Sequence, residues 1–89
     1  MSRTRKINLT PTTWVAIAAN ASFCVLQAQS NGPILVAVAE TAPEVGDPGI
    51  MLLRDGLTEI SFFDLAPEDK VYAFTEDAGE FLVAIDNGS

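Results

Sequence analysis

The chain has 89 residues, 48% of them apolar and 19% charged, which is enough for one folded domain and excludes both a two-domain arrangement and a disordered polymer. So small a core leaves little material for a deep substrate pocket, and the chain contains 0 His to serve as general base or metal ligand, so neither an enzyme nor a cofactor is expected. The formal charge of −7 is unevenly spread: Arg3, Arg5 and Lys6 open the chain, and all 12 acids follow between Glu40 and Asp86, opposed there by Arg54 and Lys70 alone.

Residues 1–10 read as an extended basic arm and 11–89 as a single domain. Within the arm, Arg3, Arg5 and Lys6 together with Ile7 and Leu9 are candidate partner-binding residues. Three cations suit docking onto an acidic protein surface, plain solvation or a few phosphate contacts. The acidic body repels a phosphate backbone, so no direct nucleic-acid binding is expected. The basic start followed by Trp14 to Ala21 imitates a secretory signal. However, Asn8 and Thr10 to Thr13 interpose polar residues, and the apolar run from Trp14 is short for such a segment. No apolar stretch approaches the roughly 18–20 residues that span a bilayer, and no membrane partner is expected.

Trp14 to Ala18 and Ser22 to Ser30 are rich in β-branched and aromatic residues and predict two strands joined at Ala19-Asn20-Ala21. Thr10-Pro11-Thr12 would suit the start of a helix through Gln29, which stands as the alternative. Asn31-Gly32 predicts a tight hairpin into a strand from Ile34 to Ala39. Thr41 to Gly49 carries two Pro and two Gly and predicts the longest loop. Ile50 to Leu53, a turn at Arg54-Asp55-Gly56, and Leu57 to Phe63 follow, with room for one helical turn at Asp64 to Asp69. Lys70 to Thr75, a turn at Glu76 to Gly79, and Glu80 to Asp86 make a last hairpin. About seven short strands at intervals of roughly 8–12 residues predict an all-β fold, a compact antiparallel β-sandwich or small barrel. A faint echo links Gly32-Pro33-Ile34-Leu35-Val36 with Gly79-Glu80-Phe81-Leu82-Val83 and raises the prospect of a duplicated hairpin.

Two strands are apolar on both faces. Ile34, Val36 and Val38 are backed by Leu35, Ala37 and Ala39, and Phe81, Val83 and Ile85 by Leu82 and Ala84. A two-layer domain cannot cover both faces of both strands. Either identical copies cover the excess, a trimer being favoured, or the long loop and the termini do. Leu35, Ala37 and Ala39 are therefore further candidate partner-binding residues.

The acids at Asp64, Glu68 and Asp69 and at Glu76, Asp77 and Glu80 lack the spacing of a calcium loop and read as solvated turn residues. Cys24, between Phe23 and Val25, reads as a small buried hydrophobe. Trp14, Tyr72 and Phe74 suit either core positions or a sugar-stacking face. Phosphate loops, nucleophile elbows and Cys/His metal spacings are missing from the sequence.

Asn31-Gly32-Pro33-Ile34, Ala42-Pro43, Gly49-Ile50-Met51-Leu52 and Lys70-Val71-Tyr72-Ala73, in this order and spacing, resemble the small all-β virion proteins of tailed bacteriophages over roughly residues 10–86. The resemblance implies a structural protein of the capsid exterior, decorating or cementing the shell as a homo-oligomer on the major capsid protein. A tail or head-fibre component, or a carbohydrate-binding module at the virion surface, is the alternative. A small enzyme or an enzyme inhibitor is a more distant one. The matching positions are turn and core residues, so the resemblance assigns no individual role.

Overall fold

A computed structural model describes residues 3–29, 32–53, 56 and 58–88. It contains eight strands: β1 Arg3–Asn8, β2 Val15–Ala18, β3 Phe23–Ala28, β4 Ile34–Ala39, β5 Ile50–Leu52, β6 Glu59–Phe63, β7 Lys70–Phe74 and β8 Phe81–Asp86. They form two four-stranded antiparallel sheets, one ordered β1-β8-β3-β6 and the other β2-β7-β4-β5, so the all-β sandwich expected from the sequence is the fold. No described residue is helical, and Thr12 to Gln29 supplies β2 and β3 rather than the alternative helix.

The winding is more specific than a generic sandwich. The pairs β1·β8, β2·β7, β3·β6 and β4·β5 make one long antiparallel ribbon, and the additional pairs β3·β8 and β4·β7 roll it into two layers. That is the eight-stranded jelly roll. Its consequence corrects the expected hairpins. Among the described strands only β4 and β5 are both consecutive and paired, and every other connection carries the chain from one sheet to the other. The turns at Ala19-Asn20-Ala21 and Glu76 to Gly79 are therefore arches between layers. So are the links through Gly32 and Gly56, though Asn31, Arg54 and Asp55 lie outside the described residues.

Asn20, Asp64 and Gly79 behave as their chemistry allows, whereas the β-branched Thr12 is an outlier at positive φ. Thr12 (φ 59°), Asn20 (55°), Asp64 (56°) and Gly79 (84°) take left-handed backbone, each in a connection that changes sheet. A local reversal needs such a residue whether the next strand pairs beside the last or across from it. The same ambiguity explains the sequence echo. Ile34 and Val36 point into the core while their counterparts Phe81 and Val83 point out of it, so the two segments face oppositely and are not a structural repeat.

Leu26, Ile34, Leu52, Leu82, Val36 and Val71 are completely buried between the layers. Each fully buried aliphatic side chain contributes about 1.5–3 kcal/mol by leaving water.

Residues 3–8 of the expected arm are a strand of the sandwich, and Met1 and Ser2 lie outside the described residues. Arg3 to Asn8 pair in unbroken register with Asp86 to Phe81, making β1 an edge strand of the sandwich. The cause is Asp86, which alternation places facing inward with no exposed surface. Arg5 donates from Nη2 to its Oδ2 at 2.6 Å, Arg3 from Nε to its Oδ1 at 3.3 Å, and the Gly88 N–H to the same Oδ1 at 2.9 Å. The Arg5 Nη2 also donates to the Ile17 carbonyl of β2 at 2.7 Å, tying the two sheets together. The basic residues thus satisfy the chain's own buried acid.

Burial alone would raise the Asp86 carboxyl, but hydrogen bonds from Arg5, Gly88 and Arg3 and the Arg5 charge together hold it below its ordinary value of 3.8. Folded Asp86 therefore binds its proton less tightly than unfolded Asp86. Its contribution is complete well above pH 3.8 and is lost as pH falls through the folded value. Asp86→Asn should cost about 2–3 kcal/mol in urea unfolding at pH 7, at the lower end for a broken buried pair because Arg5 can rehydrate. Between about pH 5 and pH 2 the wild type should lose more stability than the Asn variant, so the gap narrows.

Candidate interaction surface

The two outer faces of the sandwich have different fates. On the β2-β7-β4-β5 sheet, Tyr72 and Phe74 of β7 and Leu35, Ala37 and Ala39 of β4 share the outer face, where Trp14 joins them in a second apolar cluster. The Trp14 and Phe74 rings sit 5.3 Å apart at 40°. Trp14 is 8% exposed, Tyr72 6% and Phe74 4%, so the three form a packed cluster rather than an open sugar-stacking platform.

The long loop provides part of the cover. Trp14 Nε1 donates to the Glu44 carbonyl at 2.9 Å, and the loop holds its own shape through the Glu44 N–H to Asp47 Oδ2 at 2.9 Å and the Asp47 N–H to the Glu44 carbonyl at 3.0 Å. Gly49 is required where the loop rejoins the sheet, because a Cβ there would stand 2.9 Å from the Val36 carbonyl oxygen and 3.3 Å from the Trp14 ring. An open cavity of about 490 Å³ remains between loop and strand, lined by Ala37, Ala39, Thr41, Pro43 and Pro48 among others. Of the two covers foreseen for β4, the internal one is in place.

The β1-β8-β3-β6 sheet has no such cover. Its register sets outward-facing residues in rows across all four strands. One row is Lys6, Val83, Gln27 and Glu59, and the next is Thr4, Ile85, Val25 and Ser61. Phe23 and Phe63 stand opposite each other beyond the second row. Phe63 is 66% exposed and Ile85 38%, and neither they nor Val25 and Val83 belong to either core cluster. Lys6 is exposed with its ammonium 4.4 Å above the Phe81 ring.

The candidate residues are thus distributed unlike the expectation. Arg3 and Arg5 are engaged by Asp86, Leu9 is buried in the main core, and Ile7 is half-buried against it. Leu35, Ala37 and Ala39 are half-buried beneath the second cluster, and of the eight only Lys6 stands on the uncovered face. Val25, Phe23 and Phe63 were missed, while Ile85 was read as part of the apolar surplus of β8 but not carried into the candidate residues. The signal was present, since Phe23 and Val25 alternate with Cys24 and Leu26 and make β3 apolar on both faces as β8 is.

Two of the six turn acids accept backbone N–H groups, and Asp64, Glu68, Glu76 and Asp77 are exposed. Asp69 Oδ2 accepts the Ala66 N–H at 3.1 Å, and Glu80 Oε2 accepts the Gly32 N–H at 2.8 Å. Among the described residues no three His, Cys, Asp or Glu side chains are grouped to hold a metal ion. No helix is long and apolar enough to cross a membrane. Burial, and secondarily the Asp86 charge, pushes the Cys24 thiol up to about 11 despite a small opposing effect of Arg5. Comparison with family models, curated proteins and solved structures finds no match.

Trp14→Ala should destabilise the fold by about 3 kcal/mol and speed proteolysis within residues 41–48, readable as a new cleavage site before global unfolding. Cys24 should react with a thiol reagent in native buffer only at the rate set by unfolding, and rapidly in denaturant. Fast native labelling would contradict its buried, protonated state.

Proposed function

We propose that the chain is a non-enzymatic structural protein of a tailed-phage virion, a decoration or cement protein that attaches to the outer surface of the major capsid protein as an oligomer. The observation that carries this proposal is the uncovered apolar face of the β1-β8-β3-β6 sheet, with Phe63 at 66% exposure and Ile85 at 38%. Exposed apolar side chains on a small domain mark places for another protein, and Val45, Met51 and Leu53 are exposed as well, at the other sheet and its loop. Decoration proteins are defined by such contacts, to one another and to a shell.

Two further points support it. The segments that resemble small virion proteins come together in one half of the molecule: Pro33-Ile34, Gly49 to Leu52 and Lys70 to Ala73 belong to the β2-β7-β4-β5 sheet and its approaches, and Ala42-Pro43 to the loop above it. The jelly roll is also a winding that viral capsid and lectin domains use, which is an analogy of fold and no more. The acidic body keeps decorated particles apart by repulsion.

Quantitative analysis of purified virions tests the proposal. The chain should copurify with particles in a fixed ratio to the major capsid protein, and purified chain should rebind saturably to particles that lack it. Failure to sediment with particles in either experiment would overturn the virion assignment.

A further inference from the structure

The geometry points to a second copy of this chain as the occupant of the uncovered sheet face, paired with it about a two-fold axis that runs parallel to the strands between β8 and β3. This deepens the oligomer part of the function proposed above and rests on it for the expectation of self-association. It adds the surface, the symmetry and the residue pairs.

The case rests on the rows. Strand order β1-β8-β3-β6 puts Lys6 at one edge and Glu59 at the other edge of the same row, with Val83 and Gln27 between them. Three strand spacings, about 14 Å, separate the two charges, too far for a bond within one chain. Among the described residues neither Lys6 nor Glu59 makes an ion pair. Both are exposed.

A two-fold axis along the strands lays β1 of one copy over β6 of the other and β8 over β3. Each Lys6 then meets Glu59 of the second copy, twice per dimer. In the same operation Ile85 meets Val25 of the second copy, Val83 meets its Gln27, and Thr4 meets its Ser61. Opposite charges fall on opposite charges, and the one fully apolar pair falls beside the axis. A two-fold axis perpendicular to the strands would set β1 edge on β1 edge and lose the charge match. Two sheets stacked this way keep their strands within about 30° of alignment and lie about 10 Å apart, the ordinary geometry of aligned sheets.

Size sets the remaining condition. The body measures 30 × 25 × 19 Å, so the largest face it can offer is near the roughly 800 Å² per partner of a standard interface. Most of this face must therefore take part, as a row-on-row match provides. The contact is isologous, so it closes at two copies and does not propagate.

Charge exchange tests the pairing in the purified protein, read by sedimentation equilibrium. The wild type should be a dimer at micromolar concentration. Lys6→Glu and Glu59→Lys should each weaken it at least tenfold, and the double variant Lys6→Glu/Glu59→Lys should restore it to within about threefold. Net charge alone predicts otherwise. Glu59→Lys lowers the molecule's negative charge from −7 and would tighten any association governed by overall repulsion.

Melting temperature checks that each variant folds, and Ile85→Arg, on an outward and partly exposed position, should abolish the dimer independently. A monomeric wild type at 100 micromolar or above, a trimer insensitive to these changes, tightening by Glu59→Lys, or failure of the double exchange to rescue would each overturn the pairing. Virion attachment is scored separately. A charge-dependent dimer that never binds particles would sink the virion assignment and leave the dimer standing, whereas a particle-bound monomer would do the reverse.

Discussion

The first strand of this fold is held by a carboxylate placed where carboxylates rarely go. Asp86 is fully buried near the end of β8, at a point where the two sheets meet, and its charge is tolerated because Arg5 and Arg3 reach it from the neighbouring strand. The same Arg5 holds the Ile17 carbonyl of the opposite sheet. One acid thereby fixes the position of the first strand, the register of β1 on β8 and the closure of one end of the sandwich. A buried ion pair of this kind is weak as a source of net stability, since desolvation offsets much of the attraction, but strong as a specification. In the observed register Arg3 stands directly opposite Asp86 and Arg5 reaches its other oxygen.

The molecule is organised by strands that are apolar on both sides, and it resolves the two most obvious of them differently. For β4 the answer is internal: Trp14 and the proline-rich loop lie over the outer face, with the Trp14 indole tied to Glu44. For β8 no described loop closes the outer face, where Ile85 is 38% exposed. The connections around that sheet are short arches whose residues are already occupied in changing layers. The unbalanced apolar content seen in the sequence is thus divided between the outer face of β4, half-buried against Trp14 and its cluster, and the outer face of β8, where Ile85 stays exposed.

Strand positions were largely legible in the sequence, because β-branched and aromatic runs such as Phe23 to Ala28 and Lys70 to Phe74 are bounded by residues suited to turns. Pairing was not. Asn20 and Gly79 announce a reversal of direction through their left-handed backbone, but such a reversal says nothing about whether the next strand lies beside the last or across the core from it. Four basic-to-apolar residues, Arg3, Arg5, Ile7 and Leu9, looked like an arm because their partner lies at the far end of the chain. No local pattern joins Arg5 to Asp86. The surplus on β4 and β8 was readable from alternation. Which of the two would be covered depended on where a loop folds, and that is decided by a hydrogen bond from Trp14 to a residue of the loop it precedes by 30 positions.

The pairing of the first strand with the last has a consequence for how the molecule comes into being. Arg3 and Asp86 are 83 positions apart, and β8 separates β1 from the rest of its sheet. During synthesis β1 precedes β8, its neighbour in the sheet, and stays unpaired until β8 follows it. Its hydrogen-bonding edge and its two unneutralised arginines stay open throughout synthesis. Folding of such long-range pairings is slow, and it cannot be completed piecemeal from the N-terminus. The sheet edge formed by β1 therefore closes only once β8 has been made.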